Sequence, residues 1–89
     1  MFMKNEEKKR YINRLNRIEG QIRGLKKMIE EDTYCIDIIS QTSSVRSALK
    51  GFENSLLEQH LSTCVVSQIK NGKEKKAVEE IIKVYKLKR

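Results

Sequence analysis

The sequence has no proline and no tryptophan, four glycines, two cysteines and a single histidine in 89 residues. Without proline nothing forces a helix to end. Aromatics are few, at 6%, and no strand pattern is read. No apolar run approaches membrane-spanning length. Met1-Phe2-Met3 is followed at once by charge, so no signal peptide is read. The expectation is a cytoplasmic protein that does not enter a membrane. In that compartment two cysteines serve as reduced ligands or redox sensors rather than as a structural disulfide. There is no general acid/base pair and no phosphate loop, and the only candidate nucleophiles are the two cysteines, so an enzyme is not expected.

What is present reads as all-α. The length allows one domain, residues 1–89, which is small enough that oligomerisation is a common route to stability. Residues 1–4 read as a frayed lead-in. From Asn5 to Glu31, apolar residues at Ile12, Leu15, Ile18, Ile22, Leu25 and Ile29 predict a first helix of about seven turns. Gly20 and Gly24, four apart, suit close packing on a neighbouring helix. Glu31-Asp32-Thr33 is a short connection, so the next helix must run antiparallel to the first. That second helix is expected as one unbroken element from Asp32 to Lys70, with Asp32 and Thr33 as N-caps and Asn71-Gly72 as the stop. Its apolar positions are Ile36, Ile39, Val45, Leu49, Phe52, Leu56, Leu61 and Val65. A third, short helix is expected over residues 73–87, with Ala77, Val78, Ile81, Ile82 and Tyr85 as a two-sided stripe. Lys83, Lys86, Lys88 and Arg89 lie near its end, as the helix dipole prefers.

The net charge of +7 is uneven. Residues 1–31 carry nine basic and five acidic side chains, residues 32–69 two and four, and residues 70–89 eight and three. Basic ends favour nucleic acid or an anionic surface as partner. On the first helix Arg10, Arg14 and Arg17 follow at spacings of four and three, which places them together on its outer side as candidate DNA-binding residues. Arg23, Lys26 and Lys27 extend that surface. The bland alternative is a solvated charged face. Two short helices joined by a tight turn are missing, so any DNA binding is not of the helix-turn-helix kind.

Both cysteines and the histidine fall on the second helix. His60 and Cys64, at i and i+4, share one face and can share a metal. Cys35 lies 29 residues before Cys64. On a continuous helix that is about 43 Å, too far to complete a site or a disulfide within one chain. Two such helices packed antiparallel about a two-fold axis near residues 48 and 49 would bring Cys35 of one chain to His60 and Cys64 of the other. Ser44, Ser47, Ala48, Gly51 and Ser55 surround that point, and small residues allow a close crossing. The packing and the ligands agree on one register. The expected assembly is a four-helix-bundle dimer with two equivalent sites. Taken singly, a buried cysteine is often only a small apolar residue and the histidine a surface one. Two thiolates and one imidazole form a soft set that suits Cu(I), with Zn²⁺ behind it because it would want a fourth ligand.

The run Arg14-Leu15-Asn16-Arg17-Ile18-Glu19-Gly20-Gln21-Ile22-Arg23-Gly24-Leu25, then Cys35, then His60-x-x-x-Cys64, resembles the copper-sensing repressor (CsoR) family over about residues 5 to 85. The resemblance implies a homotetramer, a dimer of the dimers above, whose metal-free form binds operator double-stranded DNA and whose Cu(I)-bound form releases it, derepressing copper-resistance genes. Relatives that sense nickel or cobalt, formaldehyde or persulfides differ at the thiol and histidine positions, and the Cys, His, Cys pattern here matches the copper branch. Tyr34 and Glu80 match positions that the family uses behind the metal ligands, although Tyr34 could equally be an ordinary half-buried ring and Glu80 a solvated charge. Two other readings stay open. One is a repressor of the same fold that senses thiol persulfides or disulfides through Cys35 and Cys64. The other is a copper buffer or helical adaptor without DNA, which the basic ends argue against.

Overall fold

A helix needs a place to begin, and here it is supplied by backbone rather than by a capping side chain. In the computed structural model, which describes residues 3–88, helix α1 spans Asn5–Glu30. Its first turn is anchored by Lys8 N–H donating to the Lys4 carbonyl at 3.0 Å, and Glu6 and Glu7 complement the dipole there. Met1, Phe2 and Arg89 lie outside the described residues, so the lead-in is seen only at Met3 and Lys4, and the terminal basic cluster only to Lys88.

Asp32 does not cap the second helix as expected. It closes the first. Its φ is 54°, the left-handed conformation, its N–H donates to Ile29, and Thr33 N–H donates to Met28. This pair of bonds satisfies the last carbonyls of α1. Gly72 repeats the arrangement one helix later, with φ of 73°, its N–H on Ile69 and Lys73 N–H on Gln68. Helix α2 then spans Cys35–Gln59, and its first turn hangs on the Tyr34 carbonyl, which accepts from Asp37 and Ile38.

The expected single helix to Lys70 is also interrupted. His60–Val65 forms a π-helical turn, followed by α3, Val66–Lys70, and after Gly72 by α4, Glu74–Lys88. Ser62 Oγ donates to the carbonyls of Glu58 (3.0 Å) and Gln59 (3.2 Å), and Thr63 Oγ1 to Gln59 (2.7 Å). Such back-bonding competes with the regular α-helical ladder, and here it accompanies the change of register. The described residues contain helices and turns but no strand, and no helix among them is long and apolar enough to cross a membrane.

Two compact units divide the chain after Ser55. In the first, α1 runs antiparallel to the first part of α2. Tyr11 meets Phe52 edge-on, with centroids 5.7 Å apart, and its hydroxyl donates to the Ser55 carbonyl. Further along α1, Arg14 lies against Gly51, and Ile18 shares a hollow with Ala48. Tyr11, Ile18 and Val45 are the buried residues of this unit. The inward stripe of α1 is therefore Tyr11, Arg14, Ile18, Gln21 and Leu25, which keeps Ile18 and Leu25 of the apolar set expected from periodicity and leaves out the rest. Ile12, Leu15, Ile22 and Ile29 are exposed, Ile29 by 62%. The reason is that α1 carries two heptad-spaced stripes and one chain offers it one neighbour. On α2, Val45 points inward while Ile36, Ile39 and Leu49 are exposed. In the second unit Val65 and Ala77 are buried, with Ile81 half-buried beside them and Val78, Ile82 and Tyr85 on the outer side of α4.

Candidate metal centre and basic face

The π turn presents His60 and Cys64, and Glu80 faces them from α4. His60 Nε2 lies 3.7 Å from Glu80 Oε2, with the side chains 21% and 38% exposed. That separation is too long for a hydrogen bond but within ion-pair range. Glu80 Oε1 accepts a hydrogen bond from Gln68 Nε2 at 3.1 Å. The carboxylate is thus tethered from α3 and directs its second oxygen at the imidazole. With Nε2 turned to Glu80, Nδ1 is the nitrogen left for a ligand. Cys64 is a half-buried free thiol, with Thr63 Oγ1 3.6 Å from its sulfur.

In the other unit, Cys35 is the first residue of α2 and is an exposed free thiol, and Tyr34 before it is 67% exposed. Among the described residues, no three His, Cys, Asp or Glu side chains of a single chain lie together so as to hold a metal ion. Of the two residues expected behind the ligands, Glu80 lies beside His60 and Tyr34 is exposed. Gln68 was not anticipated, although its place is legible afterwards, since His60, Cys64 and Gln68 follow at intervals of four.

The basic side chains of α1 divide into two groups. Arg23 and Lys27 each lie about one turn from a carboxylate, Glu19 of the same helix at 4.0 Å and Glu31 just past its end at 3.8 Å. These are exposed pairs of small energetic weight. Arg10 is exposed, its guanidinium 6.0 Å from the Tyr11 ring centroid. Arg17 is exposed, whereas Arg14 departs from the outer side expected of it. It belongs to the inward stripe, is half-buried, and extends over Gly51 of α2.

Known proteins agree with this architecture. The family described as metal-sensitive transcriptional repressors matches residues 7–86. The copper-sensing transcriptional repressor CsoR of Bacillus subtilis is 45% identical over 82 residues, covering 92% of this chain and 81% of that protein. The copper-sensing transcriptional repressor RicR of Mycobacterium tuberculosis is 49% identical over 67 residues, covering 75% and 70%. The crystal structure of the copper-sensing repressor CsoR with Cu(I) from Geobacillus thermodenitrificans superposes with a TM-score of 0.94 at 39% identity, over 98% of this chain and 91% of that one. The nickel-responsive regulator InrS is more distant, with a TM-score of 0.78 at 31% identity over 88% of each chain. An all-α chain with this sequence likeness along nearly its whole length belongs to the metal-sensitive transcriptional repressor family.

Proposed function

We propose that the chain, residues 1–89 acting as one domain in the cytoplasm, is a Cu(I)-responsive repressor. Its metal-free form holds operator DNA, and Cu(I) at a site shared between subunits releases it, derepressing copper-resistance genes. The observation that carries the reading is the imidazole of His60, set on the same turn as the Cys64 thiol with its Nε2 facing the tethered Glu80. Metal-binding histidines commonly direct their second nitrogen at a carboxylate, a backbone carbonyl or a water, and Glu80 stands where such a partner would. The donors fit a soft monovalent ion: two free thiols and one imidazole, with no second histidine in the chain. His60 Nδ1 and Cys64 would come from one chain and Cys35 from a second. When bound, Cu(I) supplies a soft Lewis acid that joins these donors across the interface.

The chain's own residues do the rest. Glu80 orients the imidazole, and through its carboxylate α4 is linked to the state of His60. A change in His60 is thereby transmitted to the helix bearing Lys83, Lys86 and Lys88. The exposed stripes of Ile12, Leu15, Ile22 and Ile29 on α1, and of Ile36, Ile39 and Leu49 on α2, supply apolar surface for a second copy. The antiparallel register centred near residues 48 and 49, and the pairing of dimers into a tetramer, belong to the same reading. Arg10, Arg14 and Arg17 contribute the phosphate-facing charge, so affinity for DNA falls steeply with salt.

The test is a mobility-shift titration on a duplex selected from a random pool by the metal-free protein. One Cu(I) per chain is expected to weaken binding by about 5- to 150-fold, the usual range of coupling between sites. No loss of binding at that stoichiometry counts against the proposal. The two free thiols, one of them exposed, favour a second reading in which Cys35 and Cys64 of opposite subunits respond to persulfides or oxidants. His60→Ala separates the two. Copper release collapses in that variant under the first reading, and a sulfur response survives under the second.

A further inference from the structure

Between α1 and α2 of the first unit lies a hollow of about 250 Å³ lined by Arg14, Arg17, Ile18, Gln21 and Ala48. Its walls carry two arginines and one unpartnered amide oxygen. Arg14 and Arg17 make no ion pair among the described residues, unlike Arg23 and Lys27 further along the same helix. The amide oxygen of Gln21 is buried without a hydrogen-bond partner. A buried polar atom left unpaired costs folding free energy and calls for an explanation. Gly51 is part of the arrangement. A Cβ at that position would stand 3.2 Å from the Arg14 guanidinium nitrogen, a tight contact that the end of the side chain would have to yield to by a few tenths of an ångström.

The chemistry of the walls narrows the occupant. Two guanidiniums present planar forks of N–H donors that match phosphate oxygens. The Gln21 amide, turned end for end, adds neutral N–H donors, and the two orientations of an amide are nearly isosteric. A nucleobase would require an aromatic platform or a deep edge-reading slot, and the hollow is lined by no aromatic ring. We propose that the hollow seats one phosphate group, held by Arg14 and Arg17 with Gln21 as the neutral donor, and that the phosphate belongs to the DNA backbone. The inference rests on the DNA-binding reading above and specifies which contact sets the protein's register on the duplex without reading sequence.

The experiment uses the full chain, labelled with ¹⁵N, and follows the Arg14 and Arg17 Nε–H and Gln21 side-chain amide resonances. Inorganic phosphate is titrated against chloride at constant ionic strength, and then the selected duplex is added. Both are expected to move the same three side chains. Gln21→Leu, which removes the amide at similar volume, weakens duplex binding about tenfold, as expected for a hydrogen bond to a charged group. Its urea midpoint does not fall, because the unpaired oxygen is gone. Arg14→Ala lowers the slope of log affinity against log salt by about one. Phosphate shifts without duplex binding uphold the hollow and sink the DNA reading. Tight duplex binding with a silent Gln21 amide, and a Gln21→Leu variant that binds as well as the parent, overturns the inference while leaving DNA binding intact. Silence toward both ligands overturns it as well.

Discussion

Replacing Glu80 is the sharpest test of how the site is built, because the structure predicts a small effect on folding and a large one on metal. The folded chain loses one hydrogen bond, from Gln68 at 3.1 Å, and a contact to His60 at 3.7 Å that is too long to count as a second. A hydrogen bond to a charged group contributes roughly 1.5–3 kcal/mol when sequestered. Glu80 is 38% exposed, so solvent screening brings its share to about 1 kcal/mol or less. Groups that orient a metal-binding histidine, by contrast, typically change metal affinity by about 10- to 100-fold. Glu80→Ala is therefore expected to weaken Cu(I) binding by that factor while moving the urea-unfolding free energy of the metal-free protein by no more than about 1 kcal/mol. Glu80→Gln should fall between parent and alanine, since its carbonyl still accepts from Gln68 but no longer carries charge toward the imidazole. The assay is anaerobic competition for Cu(I) against a chromophoric chelator, with unfolding measured on the same samples. If Glu80→Ala binds Cu(I) within twofold of the parent, the carboxylate does not orient the ligand and the argument from Nε2 is wrong. A stability loss of several kcal/mol would refute it differently, by making Glu80 a structural residue.

Two further outcomes follow from the fold. Asp32 and Gly72 occupy equivalent left-handed positions after α1 and α3, so their exchanges should have opposite signs: Asp32→Gly stabilises and Gly72→Ala destabilises, each by about 1 kcal/mol in urea unfolding. Ile39 is 62% exposed in a single chain, so Ile39→Lys should leave helicity by circular dichroism unchanged yet lower the mass found by sedimentation if that stripe meets a second copy; an unchanged mass would remove it from the interface.

Much of the local structure was legible in the residues. The lack of proline, the apolar periodicity and Asn71-Gly72 foretold an all-α chain and the stop after residue 70, and α1 and α4 begin and end within a residue of expectation. These features are local, set by a few neighbouring residues and by the rise of a helix. What spacing could not decide is which of two stripes on a helix meets a neighbour. Ile12, Leu15, Ile22 and Ile29 are the more apolar set on α1, yet Tyr11, Arg14, Ile18 and Gln21 face α2, because Tyr11 finds Phe52 and Ser55 there and Gly51 leaves room for a guanidinium. The same holds for Asp32, whose side chain suits a helix start while its backbone ends one. It holds too for the π turn, where the hydroxyls of Ser62 and Thr63 compete with the regular ladder, and for the grip of Gln68 on Glu80. Each of those outcomes is a contest between partners that only the folded chain brings within reach, so the sequence determined where the helices run and the tertiary structure decided which side of each one does the work.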